Sequence, residues 1–590
     1  MKKFRFILPV SLLALVFTAA CSPEDPADPD VEENEQEPEE ELTEPSDEAI
    51  EGQDVQDLYL YMDNTDVSEL YSRDVNSDDR LDGHMKLDPD DDEIIELDGL
   101  RFRGNTARGL DKKSFNIRFE DDQDFLFGSN RMNLNAMYRD PSMMREKISW
   151  DMFAELDHPA PRAEYFNLYI NDVFEGLYVH IERIDQDLLA NHDLNEEGTL
   201  VRDDMRGHYN GDTIDVYSSF GFDITRADDQ PHFLEEIFRY RGNPHWGELT
   251  SLIEWVYQTP AGPEFAEKFQ EEMNVDRFID WLAVHFLIGD IDAFGDDYWL
   301  YLDHEDPDAK WEVIPWDKNL TFGSHTRSDY GVLNDYFAYE YPMDVGSWDN
   351  HLFMKLLETP ELKEKLDERL VQLMGDVFTY DYFEEKFHTY QDRIYDSVMV
   401  DPSDRGAFDL HPQNHFGELG DYEYRSEAIL DFIELRYQYI KAQIGALDTE
   451  GTLTATETID DDTEGPVYFT DDQGWVISKF EPTNVVNEGD ITFSVEENQE
   501  IDGVNRTFSV NAGDAEVEGT LTIYYRNDLG WPAGGNWYKE NTAIGEQWDL
   551  TLAEYDGSTA TPLDSTINPY TNKLTIDTSL TGENQYVITH

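Results

Sequence analysis

The sequence predicts a mixed α/β (α+β) fold of two lobes, followed by a separate all-β sandwich domain. Three patterns lead to this prediction. β segments alternate around one helix in residues 56–182, amphipathic helical patterns dominate residues 185–447, and short β segments with turn signals fill residues 467–590. A mostly β lobe that leads into a mostly helical lobe favours a ligand cleft between the two. With 590 residues, 39% of them hydrophobic, the chain can form several cores.

The N-terminus has the pattern of a secretory signal. Lys2, Lys3 and Arg5 precede the apolar run FILPVSLLALVFTAA, and Cys21, the one cysteine of the chain, follows directly. A cysteine directly after TAA resembles a bacterial lipobox, in which that cysteine is lipidated. We therefore expect residues 1–21 to be a lipoprotein signal and the protein to be extracytoplasmic, lipid-anchored on the cell membrane. A plain signal peptide with an incidental cysteine is the alternative.

Two segments have the composition of connectors. Residues 22–55 are expected to form a disordered acidic tether, because residues 22–54 hold sixteen acidic residues and no lysine or arginine. Residues 448–466, rich in Thr, Asp and Gly, follow a long helical pattern and are expected to link it to the β domain.

The chain is strongly acidic throughout. Its 130 Asp and Glu residues against 43 Lys and Arg give a net charge of −87. This balance excludes nucleic-acid binding through a general basic surface. The acids also occur throughout the segments expected to fold, which favours a halophilic source, where high salt screens their repulsion. A calcium-loaded protein is the alternative.

The helical and hairpin signals can be placed on the chain. A helix is expected over residues 141–156, a hairpin turn at residues 171–172, and a helix over residues 274–288 that is capped by Asn274. Further amphipathic stretches cover residues 350–373, 380–398 and 421–446.

Two acidic loops follow buried segments in the helical part. The 274–288 helix runs into GDIDAFGDDYWLYL, which contains Asp292 and Asp297, and the strand KWEVIPW then leads to Asp317. A β excursion between the loops can bring both to one end of a sheet. Two converging carboxylates can hold a divalent cation while one of them accepts a proton from a hydroxyl. Solvated surface is the alternative in so acidic a chain.

Basic residues cluster in one place, the segment LRFRGNTARGLDKKSFNIRF at residues 100–119. Phosphoryl groups are negatively charged and need cationic partners, so Arg103 and Lys113 are candidates to bind phosphates. Salt bridges to the acidic surface are the alternative function of this cluster.

Five segments, in this order, resemble the spore coat protein H (CotH) kinases, a family of atypical protein kinases: RFRGNTARGLDKKSFNIRF, LNAMYRDPSMMREKISWDMF, FNLYINDVFEGLYVHIERID, GDIDAFGDDYWLYLD and WEVIPWDKNLTFG. The resemblance implies a two-lobed protein-kinase-like domain over residues 56–447. It also implies transfer of the γ-phosphoryl group of ATP, with Mg²⁺ or Mn²⁺, to Ser or Thr of a surface or secreted protein.

The same resemblance implies roles for single residues. Lys113 would engage the ATP phosphates, Asp292 would be the catalytic aspartate and Asp317 would bind the metal. The backbone near Glu182 and Ile184 would form the hinge that contacts adenine.

The sequence departs from the family pattern at two positions. Asp297 stands where the family commonly has Asn, and it can bind metal but adds negative charge beside the phosphates. Asn319 replaces the second acid of the WDxD pattern. The acidic surface favours a basic protein substrate. Because ATP is scarce outside the cell, the alternative function is a non-catalytic surface attachment module on the same fold.

Replacing Cys21 tests the anchor. Cys21→Ser should abolish metabolic lipid labelling and move the protein from the membrane to the soluble fraction, because the chain has no other thiol. Unchanged membrane retention of this variant would contradict the lipoprotein prediction.

Salt should stabilise the folded protein. Repulsion among the excess acidic groups is screened over about 10 Å at 0.1 M salt and about 3 Å at 1 M, so the melting temperature should rise with KCl. Calorimetric scans from 0.1 to 3 M KCl measure this, and a flat melting temperature would rule out the halophile interpretation.

Overall fold

The structure is a computed structural model. The part of the chain that it describes is residues 55–589, except residues 91, 93, 105, 121–124, 139, 141, 205–207, 210–211, 214–217, 228–229, 291, 324–348, 403–418, 446–453, 464, 471–475, 502–503, 525–549 and 569–572. The expected signal, nearly all of the tether and part of the linker therefore lie outside the described residues. None of the described helices is long and apolar enough to span a bilayer.

The first lobe is a closed seven-stranded barrel with the strand order β1-β2-β3-β4-β5-β7-β6. β1 and β6 are parallel, and the other neighbouring pairs are antiparallel. Two helices, α1 and α2, accompany it. The strands are β1 (Gln56–Tyr61), β2 (His84–Lys86), β3 (Ile95–Phe102), β4 (Phe115–Phe119), β5 (Arg131–Asn135), β6 (Ala163–Ile170) and β7 (Val173–Ile181), and the helices are α1 (Asn64–Ser72) and α2 (Arg145–Glu155).

Aromatic and aliphatic side chains fill the barrel and form a core of their own, which includes Phe102, Phe115 and Phe119. The predicted hairpin joins β6 to β7. Asn171 (φ 49°) and Asp172 (φ 64°) both adopt the positive φ that a two-residue hairpin turn of this twist requires. The hairpin prediction is thus confirmed.

The second lobe combines nine helices of the described chain with small antiparallel sheets. Its main sheet has the order β11-β8-β12-β13, and β9 pairs with β10. The strands are β8 (Thr199–Asp203), β9 (His208–Tyr209), β10 (Asp212–Thr213), β11 (Phe238–Arg241), β12 (Tyr298–Leu302) and β13 (Glu312–Pro315). The helices are α3 (Gln186–Asn191), α4 (Gln230–Ile237), α5 (Trp246–Gln258), α6 (Pro263–Glu272), α7 (Val275–Ile288), α8 (His351–Glu358), α9 (Pro360–Gln372), α10 (Tyr380–Val400) and α11 (Leu419–Gln443).

Helix α7 is the central helix of this lobe. Asn274 caps it, because its side chain accepts a hydrogen bond from the backbone N–H of Arg277, as the sequence predicted. All residues of α7 from Trp281 onward are buried. The helix ends at Gly289, whose φ of 66° and close approach to Phe432 leave no room for a Cβ atom.

Buried ion pairs join the barrel to α10. Lys112 Nζ lies 2.6 Å from Asp401 Oδ2, and the same carboxylate accepts the N–H of Leu177 on β7 at 3.0 Å. Arg393 on α10 also pairs with Glu164 on β6. Buried pairs with additional hydrogen bonds resist separation, so the two lobes are held in one relative position on this side.

The C-terminal region is all-β, as the sequence predicted. Its nine strands form one antiparallel sheet in which β18 and β22 bend together at Gly513 and Gly582, both with positive φ. Both halves of the bent sheet contribute to one hydrophobic core. The strands are β14 (Thr454–Ile459), β15 (Val467–Thr470), β16 (Val476–Asn487), β17 (Gly489–Ile501), β18 (Val504–Tyr524), β19 (Thr551–Tyr555), β20 (Ala560–Pro562), β21 (Thr566–Asn568) and β22 (Lys573–Thr589).

This β region packs directly on α11. Glu434 of α11 accepts hydrogen bonds from the Tyr468 hydroxyl at 3.0 Å and from Lys479. The hydroxyl of Tyr439 donates to the carbonyl of Val476 at 3.0 Å. The β region therefore makes specific polar contacts with the helical lobe.

Removing the Glu434 carboxylate should loosen this contact. In Glu434→Ala the partly buried Lys479 and Tyr468 lose their acceptor, at a cost of about 1–3 kcal/mol. Hydrogen exchange at the start of β16 should become faster. Glu518→Ala, which removes an exposed partner of Asn484 on the outer surface, is the control and should leave this exchange unchanged. Equal protection in both variants would contradict the role of Glu434.

Candidate active site

A cleft, partly open to solvent, lies between the barrel and the main sheet of the second lobe. β3, β4 and β5 form one wall, and β8, β11, β12 and the segment after β13 form the other. The lining residues are Arg101, Arg103, Asn116, Arg131, Asn133, Arg183, Ile184, Arg202, Arg241, Trp299 and Trp316.

The cleft concentrates cations in an acidic protein. Six of its eleven lining residues are arginines, whereas the whole chain has 43 Lys and Arg against 130 acids. Several of these arginines also have carboxylate neighbours: Arg101 lies 3.2 Å from Asp78, and Arg183 lies 3.3 Å from Asp185. Guanidinium groups match the geometry of phosphate oxygens, so the cleft suits a polyanionic ligand.

Two tryptophans give the same cleft aromatic surface. Trp299 lies on β12, and Trp316 follows β13, its antiparallel neighbour. The guanidinium of Arg241 lies 5.1 Å from the centre of the Trp299 ring. Aromatic rings next to guanidinium groups can bind a flat heterocycle that carries phosphates.

The first acidic loop starts where α7 ends. Asp290 is buried, and its Oδ1 accepts the backbone N–H of Asp292 at 3.1 Å, which fixes the turn that presents Asp292. Burial raises the pKa of Asp290, and Lys318 opposes that shift. Asp292 itself is half-buried.

The second acidic loop follows β13 and has two left-handed residues. Asp317 has φ 48° and Phe322 has φ 51°. Phe322 is fully buried, and its N–H donates to the carbonyl of Ile288 at 2.6 Å. A bulky residue in this backbone region stores strain that the surrounding packing must hold, a feature common at functional sites.

One buried ion pair joins the two loops. Lys318 Nζ lies 2.5 Å from Asp290 Oδ2, and both side chains are inaccessible to solvent. Lys318 directly follows Asp317, and Asp290 holds the turn of Asp292. The pair therefore fixes the two predicted site aspartates relative to each other.

Helix α2 is tied to the second loop. Arg145 pairs with Asp140 at 2.7 Å, and its Nε donates to the carbonyl of Thr321 at 3.1 Å. The Thr321 hydroxyl also lies 3.3 Å from that of Ser149. The start of α2 is thus anchored beside Asp317.

Glu146 on α2 faces this site. Burial raises its pKa to about 8, and the nearby Asp317 carboxylate adds to that shift, while Asn135 and Arg103 oppose it. Asn135 Nδ2 lies 3.3 Å from both Glu146 oxygens, and Arg103 donates to Asn135. Hydrogen bonds therefore lead from Arg103 of the cleft through Asn135 to Glu146, whose carboxylate is repelled by that of Asp317.

Asp297 lies at the junction of the cleft and the loops. Burial, then Asp296 and Asp317, raise its pKa well above the usual range, whereas Arg202 lowers it. Arg202 Nη2 lies 2.9 Å from Asp297 Oδ1. The backbone carbonyl of Asp297 accepts the N–H of Trp316 at 3.1 Å, which links it to the second loop.

The structure brings some of the predicted site residues together. Arg103 and Ile184 line the cleft, and Asp297 interacts electrostatically with Asp292 and Asp317. Within the described residues, no group of three or more His, Cys, Asp or Glu side chains is arranged to hold a metal ion. A divalent cation here would need ligands from a bound molecule in addition to the carboxylates.

Lys113 and Glu182 do not belong to the lining of the cleft. The Lys113 amine donates to the carbonyls of Arg108 and Leu110 in its own loop. Glu182 is expected to offer its backbone to adenine; its carboxylate accepts bonds from Arg162 and Asn191, and its backbone N–H donates to the carbonyl of Arg162 at 2.9 Å. This geometry gives no support to phosphate binding by Lys113.

Sequence reasoning missed five residues of the site: Glu146, Arg202, Trp299, Trp316 and Lys318. Arg202 carries no local signal, and Glu146 lies in a segment that resembles the family but is not singled out there; each reaches the site through the packing of its strand or helix. The two tryptophans looked like core residues of a hairpin. Lys318 was the one with a usable signal, a basic residue in an apolar segment of a lysine-poor chain.

Comparisons with known proteins show the family of this chain. The family model described as "CotH kinase protein" matches residues 100–440, more than half of the chain. The chain is 27% identical over 396 residues to "Inner spore coat protein H" of Bacillus subtilis, covering 66% of this chain and 97% of that protein. It is also 38% identical over 72 residues to "Inner spore coat protein H-like protein" of the same organism, covering 12% and 22%. The recognition and the fold class drawn from the sequence are confirmed, and the chain belongs to the CotH kinase protein family.

Proposed function

We propose that this protein is an atypical protein kinase that transfers the γ-phosphoryl group of ATP to Ser or Thr hydroxyls of a surface or secreted protein. The observation that carries the proposal is the cleft itself. Six arginines and two tryptophans line it, in a chain of net charge −87, and it adjoins the loops of Asp292, Asp297 and Asp317.

The residues of the cleft fit a nucleotide. Trp316 is partly buried and can offer its ring to the adenine, while Trp299, buried beneath the Arg241 guanidinium, and Ile184 line the cleft beside it. Arg103 offers its guanidinium group to the phosphates. Arg103 takes the role that the sequence gave to Lys113, because the Lys113 amine is bonded within its own loop.

The loops fit a divalent cation that is held jointly with the nucleotide. Magnesium is usually bound by one or two carboxylates together with substrate phosphates, and Asp317 is the carboxylate that we assign to it. When bound, the ion neutralises charge on the phosphates.

We assign Asp292 the role of general base, which accepts the proton of the acceptor hydroxyl. The hydroxyl oxygen forms a bond to the γ-phosphorus while the bond from that phosphorus to the β–γ bridging oxygen breaks. The electron pair of the broken bond leaves with ADP, and the hydroxyl proton passes to the Asp292 carboxylate.

Glu146 is assigned a positioning role. Its contact with Asn135, which accepts a hydrogen bond from Arg103, orients that guanidinium toward the phosphates. Its carboxylate also lies near enough to that of Asp317 for the two negative charges to repel each other.

The proposed partners follow from charge and sequence. An acidic surface favours a basic protein substrate. Lipidation of Cys21 would hold the enzyme at the outer face of the cell membrane, beside secreted or surface substrates. The non-catalytic attachment module is the alternative that the following experiment separates.

Two loop variants should have different effects on nucleotide binding. Asp317→Asn should weaken magnesium-dependent ATP binding as well as phosphate transfer, because it removes the metal carboxylate. Asp292→Asn should leave ATP binding largely intact and lower turnover by about 10²–10⁴, the usual contribution of a general base. Calorimetry of ATP binding and transfer of labelled phosphate to basic proteins, at low and high salt, measure both.

Asp308→Asn is the matched control, since Asp308 is exposed on the β12–β13 hairpin between the two loops. It should behave as the wild type in both assays. Absence of ATP binding by folded wild-type protein, with magnesium or manganese supplied, would rule out the kinase and favour the attachment module.

A further inference from the structure

Arg202 is a cleft residue to which no role follows from the sequence motifs. It lies on β8, where Val201 pairs with Leu300 of the neighbouring β12. This antiparallel register places Arg202 beside the start of β12, which the loop of Asp296 and Asp297 precedes. Arg202 and Asp297 are 95 residues apart in the chain, and a hydrogen bond joins their side chains.

Arg202 makes three contacts with that loop. Its Nε donates to the backbone carbonyl of Asp296 at 2.6 Å, and its Nη2 lies 3.2 Å from Asp296 Oδ2 and 2.9 Å from Asp297 Oδ1. All three residues are buried. A buried guanidinium held in this way is a fixed part of the site, because solvent cannot replace its partners.

The charges explain why an acid can stand at position 297. Without Arg202, the carboxylates of Asp296, Asp297 and Asp317 would repel one another and the phosphates that we propose to bind beside them. With Arg202, the trio of Arg202, Asp296 and Asp297 carries a formal charge of −1, the same as a site with Asn at 297 and no arginine.

We propose that Arg202 is a positioning residue that neutralises the charge of Asp297 and occupies its carboxylate. Asp297 then does not bind magnesium, and Asp317 is the carboxylate that does. This proposal rests on the proposed function. It changes the role of Asp297 from metal ligand to the internal partner of an arginine.

A double-mutant cycle tests the proposal. Arg202→Gln leaves a formal charge of −2 on the trio and should weaken magnesium-ATP binding by at least about tenfold. Asp297→Asn should keep ATP affinity within about threefold of the wild type. The double variant restores the charge of −1 and should recover most of the affinity that Arg202→Gln loses. Calorimetry with magnesium-ATP measures all three.

The melting temperature of nucleotide-free protein in chelator gives a second readout. Arg202→Gln leaves buried carboxylates without their partner and should lower it by about 4–6 °C for a domain of this size, and Asp297→Asn in the same chain should restore part of that loss.

Arg239→Gln is the matched control. Arg239 is paired in register with Arg202 and binds Asp204 at 3.0 Å, but it does not line the cleft. Its ATP affinity should match the wild type.

Two results would overturn the proposal. Asp297→Asn could lose magnesium-dependent binding as severely as Asp317→Asn, which would make Asp297 a metal ligand. Alternatively, the effects of the two substitutions on the melting temperature could simply add, which would mean that Arg202 does not balance Asp297. If the wild type binds no ATP, the proposed function fails, and the melting-temperature cycle still decides whether Arg202 compensates Asp297.

Discussion

The geometry of the site depends on the buried ion pair between Asp290 and Lys318. Both groups are removed from water, so each needs the other, and breaking such a pair typically costs about 3–5 kcal/mol. The pair joins the loop after α7 to the loop after β13. These loops carry Asp292 and Asp317. The strained backbone at Phe322 is tolerable because the same region is fixed from several sides.

Charge compensation recurs around this pair. The chain has three times as many acids as bases, yet the cleft between the lobes is lined by arginines. A cleft lined by arginines attracts anions locally, while the field of the surrounding acidic surface repels them. Carboxylates fix some of these guanidinium groups in place: Asp297 binds that of Arg202, and Asp78 binds that of Arg101.

Contacts outside the cleft fix the elements that surround it. The ion pair of Lys112 and Asp401 joins the barrel to the end of α10. Glu434 of α11 accepts hydrogen bonds from Tyr468 and Lys479 of the β region. Helix α2 connects to the second loop through Arg145. The site therefore lies at the meeting point of elements from both lobes, and its shape depends on contacts far apart in the chain.

The sequence by itself determined the fold class, the capped helix before the first acidic loop, the Asn171–Asp172 hairpin and the family. These follow from periodicity, caps, turn residues and ordered motifs, all of which act over short stretches of chain. The sequence also identified Asp292, Asp297 and Asp317 as a group, because each follows a buried segment. Only the tertiary structure decided which cations face the cleft. Lys113 turns into its own loop, Arg202 reaches the site from a strand outside the family segments, and Glu146 reaches it from a helix whose segment did not single it out. Side-chain direction depends on strand register and helix packing, which a local pattern does not encode.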